Sequence, residues 1–187
     1  MTHIFFVRHA QPDSSWTDDR TMPLTPLGMK DREKVSEALE KYTIDKFISS
    51  PYKRSVDTIA DCAKRLEMEI YVDERFRERK QGEMLQGIVE KLWNDFDYCD
   101  KGWESNNAVQ ARNIEALTEV LQFHPNKNIV IGTHGAALST MLNHYDPSFS
   151  CEAFYNIRAS MPYIIKCEFD NQALMSREEL LKIDRGY

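Results

Sequence analysis

The sequence has no excess of positive charge, no long hydrophobic run and no closely paired cysteines. Its formal net charge is −6 at pH 7, from 24 lysine and arginine residues against 30 aspartate and glutamate residues. Proteins that bind nucleic acids or membrane surfaces generally carry a basic excess, so we expect neither kind of partner. An anionic ligand would have to be held by a local cluster of cations.

The hydrophobic segments and the cysteine spacing argue against further classes of protein. No stretch approaches the length of a membrane span, and the apolar run at residues 4–7 is too short for the core of a signal peptide. The four cysteines are widely spaced, which indicates neither a zinc site nor a disulfide framework, although their even number leaves disulfides open. We expect reduced thiols and a cytoplasmic location.

Short apolar runs alternate with amphipathic segments along the chain. The runs at residues 4–7, 45–49 and 128–132 predict buried strands, and residues 69–72 predict a further strand. Another strand is predicted at 163–169, before a turn and a short element at 180–183. Helices are predicted to begin at Thr25-Pro26, Ser50-Pro51 and Ser105, and after Gly135. This alternation predicts a three-layer α/β/α sandwich with a mostly parallel central sheet, and the length suits one domain over residues 1–187.

Two segments lie outside this regular pattern. Residues 11–23 form a long polar connection, which favours a functional loop. Residues 73–103 are rich in charged and aromatic side chains, and we interpret them as a cap insertion with a helix at 83–96 that covers part of a cleft. Aromatic residues of these segments fit either a wall for an organic group or ordinary packing, so the sequence does not identify a substrate.

Three of the predicted strands lead into residues suited to phosphate chemistry. Arg8-His9 end the first strand, Arg54 lies in the first turn after the second, and His134 follows the strand at 128–132. The carboxyl ends of parallel strands meet at one edge of a sheet, so these side chains are expected to lie together. Arginines match phosphate oxygens, and a neutral imidazole can act as a nucleophile. Taken singly, Arg54 also fits a solvated helix charge and His134 a structural histidine.

The motifs around these residues resemble those of the histidine phosphatase superfamily, also called the phosphoglycerate mutase-like superfamily. Val7-Arg8-His9-Ala10 resembles its Arg-His-Gly signature. The other matching segments follow in the family's order over nearly the whole chain: Pro23-Leu24-Thr25 with Gly28, residues 49–55 with Thr58, 76–79 with Gly82 and Gly87, 102–105 with Arg112, and 129–135.

The resemblance implies a role for each candidate residue. His9 would be the nucleophile that becomes phosphorylated, and Arg8, Arg54 and His134 would form the phosphate pocket. Glu78 would be the general acid that later activates water, although within its charged run it also fits an ordinary salt bridge. The resemblance implies no metal and no other cofactor, and the sequence shows no recognisable metal-ligand spacing.

The expected function is metal-independent hydrolysis of a small phosphorylated metabolite through a phosphohistidine at His9. Two departures bear on it: Ala10 replaces a glycine, which raises the question of a positive φ, and Pro12 replaces a hydroxyl-bearing residue. The short chain favours a phosphatase over a mutase, which generally has a longer lid. Mutase-type phosphoryl transfer and a non-catalytic phosphate-binding regulator stay open as alternatives, and the sequence gives no indication of oligomeric state.

Overall fold

The computed structural model describes residues 1–186 as a six-stranded sheet with helices on both faces. The strands are β1 (Thr2–Arg8), β2 (Lys46–Ser49), β3 (Ile70–Val72), β4 (Asn128–Thr133), β5 (Ser160–Asp170) and β6 (Ala173–Asp184). The helices are α1 (Pro26–Leu39), α2 (Lys53–Arg65), α3 (Ile88–Asn94), α4 (Asn106–Phe123), α5 (Gly135–Tyr145) and α6 (Cys151–Arg158), with a 3₁₀ helix at Glu74–Phe76.

The order of the strands brings three strand ends to one edge of the sheet. The order is β3-β2-β4-β1-β5-β6, in which the first four strands are parallel and the last two run antiparallel to their neighbours. Arg8 pairs with Thr133, and Ser49 pairs with Gly132. The carboxyl ends of β1, β4 and β2 therefore stop at nearly the same level.

Alternating side chains of the central strands build two separate cores. Ile4 and Phe6 of β1 pack with α4 and α5 on one face, whereas Phe5 and Val7 pack with α1 and α2 on the other. All four side chains are buried, and each contributes about 1.5–3 kcal/mol by leaving water. This arrangement confirms the predicted three-layer sandwich with its mostly parallel sheet.

Helix starts were predicted with mixed success. The side chains of Thr25 and Ser105 cap α1 and α4, as predicted. The prediction that Ser50-Pro51 opens the next helix was wrong, because α2 begins at Lys53 and has no side-chain cap. The Ser50 hydroxyl instead accepts the N–H of Tyr52 at 3.2 Å, which closes a turn before the helix.

The later part of the chain holds two differences from the predicted elements. Helix α6 was not predicted, and the expected short element at 180–183 belongs to the twelve-residue strand β6. Within residues 73–103 the observed helix α3 is shorter than the predicted helix at 83–96. The single-domain organisation stays a prediction, and its last residue, Tyr187, lies outside the described residues. Among residues 1–186, no helix has the length and hydrophobicity that crossing a membrane requires.

Candidate active site

The five residues singled out in the sequence come together at the carboxyl edge of the sheet. Arg8, His9, Arg54 and Glu78 line one cavity of about 250 Å³. The ring of His134 lies beside it, with its centroid 5.2 Å from that of His9. All five side chains are buried, so their charges and hydrogen bonds act in a poorly solvated environment.

The imidazole of His9 is held in one tautomer. Its Nδ1 lies 2.8 Å from the carbonyl oxygen of Ala10, and since a carbonyl only accepts, Nδ1 carries the proton. Burial lowers the pKa of His9 well below its usual value, and the charges of Arg54 and Arg8 lower it further. His9 is therefore neutral at pH 7 and has an unprotonated Nε2, which is the form that attacks an electrophile.

The two departures from the family motif fit their positions. The buried Ala10 donates its N–H to Oγ1 of Thr58 at 2.9 Å. Ala10 is not among the few non-glycine residues with positive φ in the described part of the chain, so alanine meets no strain there. Pro12 lines the cavity and pairs with Leu24 in an antiparallel bridge, which closes the base of the loop at 13–23.

The position of Arg8 depends on the unpredicted helix α6. Its Nη1 donates to the carbonyl oxygens of Ile157, Arg158 and Ser160, at 2.5, 2.8 and 2.6 Å. Carbonyls at a helix C-terminus carry partial negative charge, so this helix end attracts a guanidinium. Arg8 thereby joins α6 to the same cavity that His9 lines.

Arg54, at the start of α2, is held by the loop at residues 13–23. Its Nη1 donates to the carbonyl oxygen of Asp19 at 2.5 Å and lies 3.0 Å from the Oδ1 of the same residue. A cation near a helix N-terminus is unfavourable unless an anion is close, and the Asp19 carboxylate supplies that anion in this structure. Both contacts use Nη1, and Arg54 also lines the cavity.

Glu78 caps helix α5 from outside that helix. Its Oε2 accepts the N–H of Ala136 at 3.2 Å, and its Oε1 accepts the N–H groups of Ala137 and Arg79 at 3.1 and 2.8 Å. Helix α5 needs this acceptor because its own N-cap residue, His134, forms no side-chain cap. One set of hydrogen bonds thus holds Glu78 beside His134, which would not happen for a solvated salt bridge.

An ion-pair network fixes the backbone of the Glu78 segment. Glu104 accepts hydrogen bonds from Arg77 and Arg112, and Arg112 Nη2 donates to the carbonyl oxygen of Glu78 at 3.1 Å. These arginines lower the pKa of Glu104 to about 2, although its burial acts in the opposite direction. In the sequence, Arg112 and Glu104 were apparent only as parts of one matching motif, and nothing there indicated that they form an ion pair.

His134 presents one nitrogen that has no partner. Its Nε2 lies 2.7 Å from Oγ of Ser50, while its Nδ1 is buried and has no hydrogen-bond partner within residues 1–186. Burial is the main cause of a pKa well below the usual value, and the nearby Arg54 and His9 add to it. Buried polar atoms are rarely left unpaired, so this nitrogen suits a hydrogen bond to a bound ligand.

The other wall of the cavity was predicted only in part: Trp103 is one of the aromatic residues for which the sequence left a wall or ordinary packing open, whereas the other three residues of this wall were missed. Arg79 and Trp103 come from the 73–103 segment, and Phe154 and Arg158 come from α6. Arg79 follows Glu78 in a charged run, which is usually solvated, and α6 had no recognisable helical pattern. Within residues 1–186 no group of three or more His, Cys, Asp or Glu side chains is arranged to hold a metal, and a metal-free reaction stays a prediction.

Comparison with known proteins places this geometry in a family. The family model "Histidine phosphatase superfamily (branch 1)" matches residues 4–176. A curated relative, the uncharacterized phosphatase PhoE of Bacillus subtilis (strain 168), is 26% identical over 147 residues, which cover 76% of either chain.

Solved structures agree with the fold. YhfR of Bacillus stearothermophilus has a TM-score of 0.77 at 20% identity, over 94% of this chain and 95% of that one. A mycobacterial glucosyl-3-phosphoglycerate phosphatase has a TM-score of 0.74 at 18% identity, over 95% and 96%. A phosphoserine phosphatase variant from Entamoeba histolytica, solved with phosphoserine, has a TM-score of 0.76 at 20% identity, over 95% and 96%. The chain therefore belongs to the histidine phosphatase superfamily, branch 1, as an enzyme of the phosphatase type.

Proposed function

We propose that the protein hydrolyses phosphomonoesters of small metabolites without a metal, through a phosphohistidine at His9. The observation that carries the proposal is the state of His9: a buried, neutral imidazole with its proton on Nδ1, in a cavity that two arginines also line. The reaction would divide one difficult displacement into two easier ones.

In the first step, Nε2 of His9 attacks the phosphorus and the bond from phosphorus to the ester oxygen breaks. Arg8 and Arg54 stabilise the charge on the phosphoryl oxygens, and an Nδ1–H of His134 donates to one of them. The protonated carboxyl group of Glu78 gives its proton to the leaving oxygen. Oε1 already accepts two backbone N–H groups, whereas Oε2 accepts only that of Ala136, so Oε2 can carry the proton and give it to the substrate while Glu78 stays bound to α5.

In the second step, water attacks the phosphohistidine. Glu78, now a carboxylate, accepts a proton from that water, and the bond between phosphorus and His9 Nε2 breaks to release inorganic phosphate. The neutral imidazole and the carboxylic acid are thereby restored. The low pKa of His9 supports this step, because the imidazole that leaves the phosphorus is stable in its neutral form.

The cavity supports a small substrate. At about 250 Å³ it suits a phosphate group with a short organic group attached. The named activities of the mycobacterial and Entamoeba histolytica relatives also concern small phosphoesters. The cytoplasmic location and the absence of nucleic-acid and membrane partners remain predictions from composition.

The test is a panel of phosphomonoesters hydrolysed in the presence of a chelator. We expect the wild type to retain full turnover with chelator, and His9→Ala to lose at least about a thousandfold in kcat/KM. His144→Ala is the matched control, since His144 is exposed and remote from the cavity. Rapid quenching at alkaline pH followed by mass spectrometry should detect a phosphoryl group on His9. Unchanged turnover in His9→Ala, or loss of activity with chelator, would refute the mechanism.

The Glu78→Gln variant tests the role of Glu78 as general acid separately from the binding of phosphate. The variant keeps an acceptor oxygen for α5 but has no proton to give, so poor leaving groups should slow most. We expect a loss of about a hundredfold or more for alkyl phosphates and a much smaller loss for nitrophenyl phosphate. Equal losses for both would exclude Glu78 as the acid. An isomerisation assay on the same panel distinguishes a mutase from a phosphatase.

A further inference from the structure

We propose that Ser50 is a positioning residue of the active site, whose hydroxyl donates a hydrogen bond to Nε2 of His134 and so keeps the ring proton of that imidazole on Nδ1. The inference rests on the proposed phosphatase function and deepens it. In that function His134 donates a hydrogen bond to a phosphoryl oxygen, and a neutral imidazole can do so through Nδ1 only when the proton is held there.

The surroundings of the Ser50 hydroxyl decide the direction of this hydrogen bond. Ser50 is fully buried, so its hydroxyl has no access to bulk water. Its oxygen accepts the N–H of Tyr52 at 3.2 Å and lies 2.7 Å from Nε2 of His134, and within residues 1–186 the side chain makes no other hydrogen bond. Because a buried hydroxyl rarely leaves its proton unpaired, that proton points at Nε2, which acts as the acceptor.

The opposite tautomer would leave more groups without a partner. Burial lowers the pKa of His134 well below its usual value, so the neutral ring has one proton to place. If Nε2 carried that proton, the Ser50 hydroxyl would have no acceptor in the described part of the chain, and Nδ1 would be a buried lone pair without a donor. With the proton on Nδ1, that N–H alone lacks a partner, and an oxygen of a bound phosphoryl group would supply it.

The sheet and a neighbouring aromatic ring hold Ser50 and His134 in fixed relative positions. Ser49 pairs with Gly132 at the ends of β2 and β4, and the N–H of Ser50 donates to the carbonyl oxygen of Gly132 at 2.9 Å. The ring of Tyr52 packs edge-on against the imidazole of His134, with 5.2 Å between the centroids. The hydroxyl and Nε2 are therefore preorganised to meet, as a positioning contact requires.

Nuclear magnetic resonance of the full chain, with isotope-labelled histidine and without phosphate, measures the tautomer directly. The chemical shifts of the ring nitrogens distinguish a protonated from an unprotonated nitrogen, and the signals of His134 are assigned by their loss in His134→Asn. For the wild type we expect a protonated Nδ1 and an unprotonated Nε2 at neutral pH. In Ser50→Ala the proton should lie on Nε2 in most molecules, because no donor occupies that nitrogen and the isolated imidazole of histidine favours that tautomer.

Kinetics connect the tautomer to phosphate binding. In Ser50→Ala the inhibition constant for inorganic phosphate and the KM should both rise about three- to tenfold, by the factor by which the Nδ1–H population falls, while kcat changes little. Ser50→Thr keeps a hydroxyl and should retain the tautomer and the affinity of the wild type. Ser49→Ala is the matched control: it removes the hydroxyl of the adjacent buried serine, which donates to Oγ of Ser55 at 3.1 Å and not to His134.

The two proposals fail in different ways. A proton on Nε2 of His134 in the wild type overturns the role of Ser50, and this result needs neither a folded variant nor any activity. The role is also wrong if Ser50→Ala keeps the proton on Nδ1, if Ser50→Thr shifts it as Ser50→Ala does, or if Ser49→Ala weakens phosphate binding equally. If the tautomers are as expected but no phosphomonoester is hydrolysed, the hydrogen bond from Ser50 stands and the proposed phosphatase function is wrong.

Discussion

Replacement of Glu104 by glutamine is expected to destabilise the fold by about 3 kcal/mol at pH 7. Glu104 is mostly buried and pairs with Arg77 and Arg112, at 2.8 Å in each case. Its pKa falls from an ordinary 4.5 to about 2. Each pKa unit corresponds to about 1.4 kcal/mol, which yields the expected loss. Glutamine keeps the shape of the side chain but leaves two arginines without their shared carboxylate.

The contribution of Glu104 depends on pH in a defined direction. Because the pKa is lower in the folded state than the ordinary 4.5, the unfolded chain binds the proton at higher pH. The stabilisation is therefore fully present above about pH 4.5 and is lost as the pH falls toward 2. The difference between wild type and Glu104→Gln should stay constant from pH 7 to 5 and shrink to about half by pH 3.

Urea unfolding at a series of pH values measures this difference. The control is Glu115→Gln, which also removes a carboxylate from an arginine, Arg75, but at an exposed position. That variant should lose at most about 1 kcal/mol, as exposed ion pairs do. Equal losses for the two variants, or a loss for Glu104→Gln that persists unchanged at pH 3, would refute the assignment of the stability to the buried carboxylate.

Three further predictions concern the site and its supporting loop. The profile of kcat/KM against pH should keep its activity as the pH falls through 6.5 and decline only well below it, since burial and the neighbouring arginines lower the pKa of His9 and the neutral form is needed. Gly28→Ala should destabilise the fold by about 2–3 kcal/mol in urea unfolding, because the new Cβ would lie 2.3 Å from the carbonyl oxygen of Gln11. Asp19→Asn should lower the inhibition constant for inorganic phosphate by about two- to fivefold, because it removes a competing carboxylate from Arg54 and keeps the backbone carbonyl that holds it.

Each of these predictions has a contradicting result. An acid limb at or above pH 6.5 would mean that the limiting group is not a buried neutral histidine. Glu37→Ala, at an exposed position of the same helix α1, is the control for Gly28→Ala. If Gly28→Ala is as stable to urea as Glu37→Ala, the new Cβ does not clash with the Gln11 carbonyl. Asp57→Asn removes a carboxylate that pairs with Lys53 on α2, and an equal gain in phosphate affinity there would show a general charge effect.

Local patterns along the chain predict the sheet and the positions of Arg8, His9 and His134 at its edge. The strand that ends in Arg8-His9 and the strand that leads to His134 are buried on both faces, so they are nearly pure apolar runs and easily recognised. Parallel pairing then brings their ends to one edge, which follows from the alternation of strands and helices without any knowledge of packing. The same pattern placed Arg54 at this edge, and the resemblance to the family's motifs added Glu78.

Contacts between distant segments decide the rest of the site. Ser50 looks like a helix cap in the sequence but serves a turn and His134, and Glu78 looks like a solvated charge but caps α5, 57 residues further along. Helix α6 has no strong local pattern, yet its carbonyls hold Arg8 and its last residue lines the cavity. Arg79 is buried, with its guanidinium bound to Asn106 and placed over the ring of Trp103. Burial and hydrogen-bond partners arise from residues far apart in the chain, so only the tertiary structure shows them.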